Sequence, residues 1–161
     1  MKHEKSIALL NKSISDELCA VHQYMYFHFH LADQGFGRLS MLFKRTAITE
    51  MTHVETLAER VLFLKGEVEM VAGPIVKITD ASEMLAKAIA MEEESAKFYN
   101  QAAIEAGAGS DAASKQLFEK LVADEEGHGD AFEKQLDNIK RFGPSYLALQ
   151  SYGNLPEAAA E

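Results

Sequence analysis

The sequence predicts an all-α fold, a four-helix bundle with one long crossover and a short fifth helix. Three observations carry this. Apolar residues recur at three- and four-residue spacing over four long stretches, which is the signature of helices with one buried face. The breaks after the first and third stretches are short, so each flanking pair packs antiparallel. The middle break is long, contains Gly73-Pro74 and has no helical period.

The first helix covers residues 3–33, free of Pro and Gly, with Ile7, Leu10, Ile14, Val21, Tyr24, His28 and Leu31 on one face. Gln34-Gly35-Phe36-Gly37 interrupts it. The second runs over 38–65 on Leu39, Leu42, Thr46, Leu57, Val61 and Leu64, with Gly66 as its expected C-cap. After the link at 67–79, Asp80-Ala81-Ser82-Glu83 has the spacing of a capping box and opens the third helix, which follows Leu85, Ile89, Ala96, Tyr99 and Ala103 to Gly107-Ala108-Gly109. Ser110 or Asp111 caps the fourth, carried by Leu117, Leu121, Phe132 and Ile139 and stopped near Gly143-Pro144. SYLALQSY is the candidate fifth helix. Residues 1–152 are thus expected to form one domain and 153–161 a flexible C-terminal tail. Two helices, a long link and two more helices is the connectivity of ferritin-like bundles.

Composition limits the functions open to such a bundle. At 161 residues the chain has room for one core. Its 16 Lys and Arg against 25 Asp and Glu, a formal net charge of −9, argue against nucleic acid and for a surface that attracts cations. No apolar run is long enough for a membrane span and the N-terminus lacks a signal-peptide pattern, so a cytoplasmic location without membrane contact is expected. The single cysteine, Cys19, allows neither an internal disulfide nor a CxxC metal knuckle and reads as a small buried hydrophobe.

The apolar stripe of every long helix is broken by a glutamate: Ile14-Glu17-Val21, Thr46-Glu50-His53-Leu57, Ile89-Glu92-Ala96 and Leu121-Glu125-His128-Phe132. Four carboxylates aimed at one core need compensating charge, because an unpartnered buried carboxylate costs several kcal/mol or protonates. Metal ions supply that charge. The second and fourth helices carry Glu-x-x-His, whose spacing points both side chains the same way, and the first and third each add a lone glutamate. That set is expected of di-iron or di-manganese carboxylate bundles. Glu17, Glu50, His53, Glu92, Glu125 and His128 are therefore the candidate metal ligands and catalytic residues, with Glu50 and Glu125 bridging and Glu17 and Glu92 terminal. Oxygen-rich ligation with two imidazoles suits iron or manganese better than structural zinc, and iron is the redox-active choice. Tyr24 and Tyr99 each follow a stripe glutamate by seven residues, about 10 Å along the axis. They are either core aromatics or groups that touch the ligands. His28 reads as a hydrogen-bonded histidine of the core or of a pore. A structural bundle whose glutamates line a hydrated seam is the non-catalytic alternative.

These residues resemble a known family. Glu17 in SISDELCAVHQY, Glu50-Met51-Thr52-His53 leading to ERVLFLKG, Glu92 in AMEEESAK and the DEEGH segment ending at His128 look like the four helices of bacterioferritin, over residues 4–152. The resemblance implies a shell of 24 subunits built from two-fold dimers that oxidises Fe(II) with O2 or H2O2 at a di-iron centre, a ferroxidase that stores ferric mineral. An unidentified electron donor would release the iron. The resemblance also implies a haem b between paired subunits held by methionine, and the matching residue is Met51. Met51 follows Glu50 by one residue, about 100° around the helix, so it points off the bundle's flank, where a two-fold axis would bring it to its own copy. Filling an apolar subunit contact is the other role open to it.

Two departures stand out. Some bacterioferritins place a histidine and an aspartate on the second helix for an extra iron, and the matching positions here are Arg45 and Thr49. The three glutamates after Met91 are also similar to rubrerythrins, but one cysteine cannot build a rubredoxin module. A rubrerythrin-like or Dps-like di-iron peroxidase without a 24-subunit store remains the alternative enzyme.

Overall fold

The computed structural model describes residues 3–152. Four long helices, α1 (Glu4–Asp33), α2 (Gly37–Phe63), α3 (Ala81–Ala108) and α4 (Ala112–Phe142), are followed by α5 (Pro144–Leu149). The tail expected at 153–161 lies outside the described residues. α1 packs along α2 and α3 along α4, and the two hairpins close on one another. None of the described helices is long and apolar enough to cross a membrane.

Capping chemistry sets most of the boundaries. The Asp80 side chain accepts from the Glu83 backbone N–H at 2.9 Å and starts α3. Asp111, rather than Ser110, does the same for α4 through the Ser114 N–H at 3.1 Å. Gly143 has φ 63° and ψ −147°, a conformation open essentially to glycine alone, and Pro144 then begins α5. The end of α2 differs from the sequence expectation. Its left-handed residue is Lys65, with φ 63°, while Gly66 comes one position later. Gly66 is needed for another reason: a Cβ there would lie 2.7 Å from Ile7 Cγ2 on α1.

The crossover runs the length of the bundle and is fastened by two amides of α1. Asn11 donates to the Glu67 carbonyl at 2.8 Å and accepts from the Glu69 N–H at 3.1 Å. Gln23 donates to the Val76 carbonyl at 2.9 Å and accepts from its N–H at 2.7 Å. Each amide satisfies a backbone donor and acceptor that the loop cannot pair internally.

The core falls into two apolar clusters. One gathers Tyr24, Phe27, Leu31, Phe43, Leu85 and Phe132 at the end of the bundle where α3 begins. The other gathers Leu10, Ile14, Leu57, Tyr99, Phe118 and Leu121 at the opposite end. Between them lies a layer of buried polar groups.

Candidate metal centre

Six side chains form that layer. Glu17, Glu50, Glu92 and Glu125 are at most 2% exposed, His53 is 6% exposed, and His128 is half-buried. They fall into two overlapping quartets whose ligand-type atoms all lie within 4.8 Å of one another: Glu17, Glu50, His53 and Glu125, then Glu50, Glu92, Glu125 and His128. Glu50 and Glu125 belong to both. The structure thus brings all six sequence-predicted residues to one place.

The hairpins are built in one register. Glu50 follows Glu17 by 33 residues and Glu125 follows Glu92 by 33, with a histidine three residues after each and a tyrosine seven after Glu17 and Glu92. The tyrosines work crosswise. Tyr24 of α1 donates to Glu92 of α3, and Tyr99 of α3 donates to Glu17 of α1. Burial, then the charge of Glu92 or Glu17, pushes each phenol well above its ordinary pKa, so both stay protonated donors.

The centre is short of partners. Both oxygens of Glu50, Oε2 of Glu92, Oε1 of Glu125 and Nδ1 of both histidines are buried without a hydrogen bond. His53 Nδ1 lies 2.9 Å from Glu50, 3.3 Å from Glu17 and 3.3 Å from Glu125, and His128 Nδ1 lies 3.0 Å from Glu50 and 3.6 Å from Glu92. These atoms approach without hydrogen-bonding direction, converging on shared points. Donor atoms arranged in that way fit metal ions, and their chemistry, carboxylate oxygen with two imidazole nitrogens, fits iron.

Proton affinities show the same deficit of positive charge. Burial raises Glu17 to about 8, against the pull of His53 and with repulsion from Glu50. Burial likewise raises Glu125 to about 10. For Glu50 burial is outweighed by His128 and His53, which hold it near 2. Burial would lower the histidines, yet the surrounding carboxylates outweigh it and raise His53 to about 12 and His128 to about 10. Without metal, protons carry the compensating charge.

Asp124 is a participant for which the sequence reading assigned no role. Its Oδ2 lies 3.2 Å from His53 Nε2. An N–H on that nitrogen donates to the carboxylate and leaves Nδ1 as the ligand-side lone pair. The detectable signal was a carboxylate directly before Glu125. The equivalent residue of the other hairpin is Thr49, whose hydroxyl instead bonds the Arg45 carbonyl on its own helix at 3.2 Å. The centre is therefore asymmetric in its support.

Other singled-out residues lie apart. His28 Nδ1 meets the Ser40 hydroxyl at 2.8 Å and ties α1 to α2. Cys19 is partly buried, its thiol 3.6 Å from the Pro74 carbonyl oxygen. Met51 lies on the outer flank of α2, 47% exposed, near exposed Ile48 and Met41.

Comparison with known proteins places this geometry among relatives. The profile of the ferritin-like domain matches residues 7–142. The chain is 34% identical over 147 residues to the bacterioferritin of Rhodobacter capsulatus, covering 90% of this chain and 91% of that protein. It is 34% identical over 163 residues to that of Brucella melitensis, covering 100% and 98%. To that of Desulfovibrio desulfuricans it is 33% identical over 153 residues, covering 89% and 81%.

Proposed function

The chain belongs to the bacterioferritins, within the ferritin-like family, and from that premise we propose that it stores iron by oxidising Fe(II) at the centre between its four helices. The observation that carries this reading is the pair of quartets sharing Glu50 and Glu125. A carboxylate has two oxygens, so these two are suited to bridge, leaving Glu17 with His53 on one ion and Glu92 with His128 on the other.

Fe(II) is the substrate, and two such ions held side by side supply two electrons to one O2 or H2O2. The chain's own residues do the rest. The four carboxylates bind and balance the cations, and the two apolar clusters close the layer off along the bundle axis at both ends. Tyr24 and Tyr99 fix Glu92 and Glu17 by donating to one oxygen of each. Asp124 fixes the ring of His53. Protons on Glu17, Glu125 and the histidines leave as the cations enter.

The family reading extends to the assembly. The domain spans residues 1–152, and 24 copies arranged as two-fold dimers enclose the ferric store. Met51 of two subunits would hold one haem b, a group that would supply an electron path for release. The half-exposed position of Met51 on an apolar flank fits this.

The oxidation test compares wild type with the double variant Glu50→Ala, His53→Ala. Initial Fe(II) oxidation is expected to fall by about tenfold or more. Equal rates in the two proteins refute the ferroxidase assignment.

A further inference from the structure

A cleft of about 340 Å³ opens between α3 and α4 directly beside the metal layer. Six carboxylates line it: Glu92, Glu93, Glu125, Glu126, Asp130 and Glu133. Glu92 and Glu125 form its inner end, each 2% exposed and each presenting an oxygen that has no hydrogen-bond partner. Glu93, Glu126, Asp130 and Glu133 are exposed at its mouth. Asp130 is paired with Lys134, whereas no ion pair engages Glu93, Glu126 or Glu133 among the described residues. A neighbouring groove shares Glu93 and Glu133 and extends the acidic track to Asp137, with Lys140 at its far end.

From this arrangement we propose that the α3–α4 cleft is the entry path for divalent cations, with Glu93, Glu126 and Glu133 handing them to Glu92 and Glu125. The proposal rests on the metal-centre reading above. Acidic walls in low-dielectric surroundings focus the field and raise local cation concentration. The cleft also needs an open floor. Gly129 provides it, since a Cβ there would sit 3.5 Å from Glu92 Cβ in ordinary contact, so no clash excludes a side chain but a larger one would fill the space. The second cavity reaching the layer, about 310 Å³ between α1, the crossover and α3, carries less net negative charge, because Lys12 and Lys87 offset two of its four carboxylates, Asp16, Glu92, Glu94 and Glu125, whereas no cation lines the α3–α4 cleft.

The test uses the assembled wild-type protein and Co2+ alone under anaerobic conditions, with uptake followed by the visible absorption of the bound ion. Three variants are compared with it. The path variant is Glu93→Gln, Glu126→Gln, Glu133→Gln. A control of equal charge is Glu55→Gln, Glu59→Gln, Glu119→Gln, all exposed and away from the cleft. Gly129→Leu blocks the floor without changing charge. At low salt the path variant is expected to take up Co2+ about fivefold more slowly than the control, with the same two ions per subunit at saturation and a flatter salt dependence. Gly129→Leu slows uptake at every salt concentration. Path and control variants with equal rates overturn the proposal. Fewer ions at saturation in the path variant overturn it too, because the mouth carboxylates are then ligands rather than a path. A wild-type protein that takes up no Co2+ overturns the metal-centre reading itself, and the path with it.

Discussion

Asp124 and its counterpart Thr49 differ by one carboxylate, and that difference separates the two halves of an otherwise repeated centre. A carboxylate that orients a metal-binding histidine contributes about 10–100-fold to affinity. Asp124→Asn is therefore expected to weaken one of the two Fe(II) or Co2+ ions, the one beside His53, by about tenfold in an anaerobic titration, while Thr49→Val leaves both unchanged. Equal effects from the two substitutions contradict the assignment. Proton binding gives a second expectation. In the metal-free fold Glu17, Glu125, His53 and His128 all have raised pKa values, from 4.5 to about 8 and 10 for the glutamates and from 6.5 to about 12 and 10 for the histidines. The folded chain then binds more protons than the unfolded chain above about pH 4.5, so their stabilisation is full below that range and is lost as pH rises through the folded values. Glu50, held near 2, acts in the opposite sense, and its contribution disappears only as pH falls from 4.5 toward 2. The Tm of metal-free protein is expected to fall between about pH 6 and pH 8, and the gap to Fe(II)-loaded protein to widen. A metal-free Tm that rises over that interval counts against the geometry. The six charged residues were legible in the sequence because charge in an apolar stripe is conspicuous. The tyrosine pairings were not, since which glutamate a phenol reaches depends on how the two hairpins close.

The elements themselves were legible wherever side-chain chemistry marks an end. Asp80 and Asp111 cap as their spacing suggests, and Gly143-Pro144 stops α4. Gly66 misled because glycine serves two purposes, left-handed backbone and close approach, and only the packing of Ile7 against it shows which applies. The crossover was readable as irregular, but its attachment was not, because Asn11 and Gln23 look like ordinary polar residues of a helix. Gln23 is 1% exposed and holds both polar groups of Val76. Its replacement by alanine leaves that donor and acceptor without a partner and is expected to cost about 1–3 kcal/mol of stability. Hydrogen exchange should show lost protection at the Val76 amide while α4 amides keep theirs. Unchanged exchange at Val76 would show that the loop is held by something else.

At the scale of the whole molecule the flank bearing Met41, Ile48 and Met51 is an exposed apolar strip that the two-fold dimer would cover. Haem reconstitution of the assembled protein is expected to give about one haem per two subunits. Met51→Leu is expected to lose that haem while keeping the particle size and most Fe(II) oxidation. Haem content unaffected by the substitution removes Met51 from the site. A shell of 24 chains, the assembly proposed above, would carry a formal charge of 24 × −9, or −216, and cation uptake by it is expected to depend steeply on salt. All of this depends on one claim, that the six-residue layer holds two irons. Anaerobic Fe(II) titration of metal-free protein, followed by Mössbauer spectroscopy, tests it most directly. The expected result is saturation at two high-spin ferrous ions per subunit, both converted to ferric on admitting oxygen or peroxide, with Glu125→Ala losing at least one of them. Saturation with no ferrous ion in the wild-type protein, or full occupancy retained by Glu125→Ala, would contradict it.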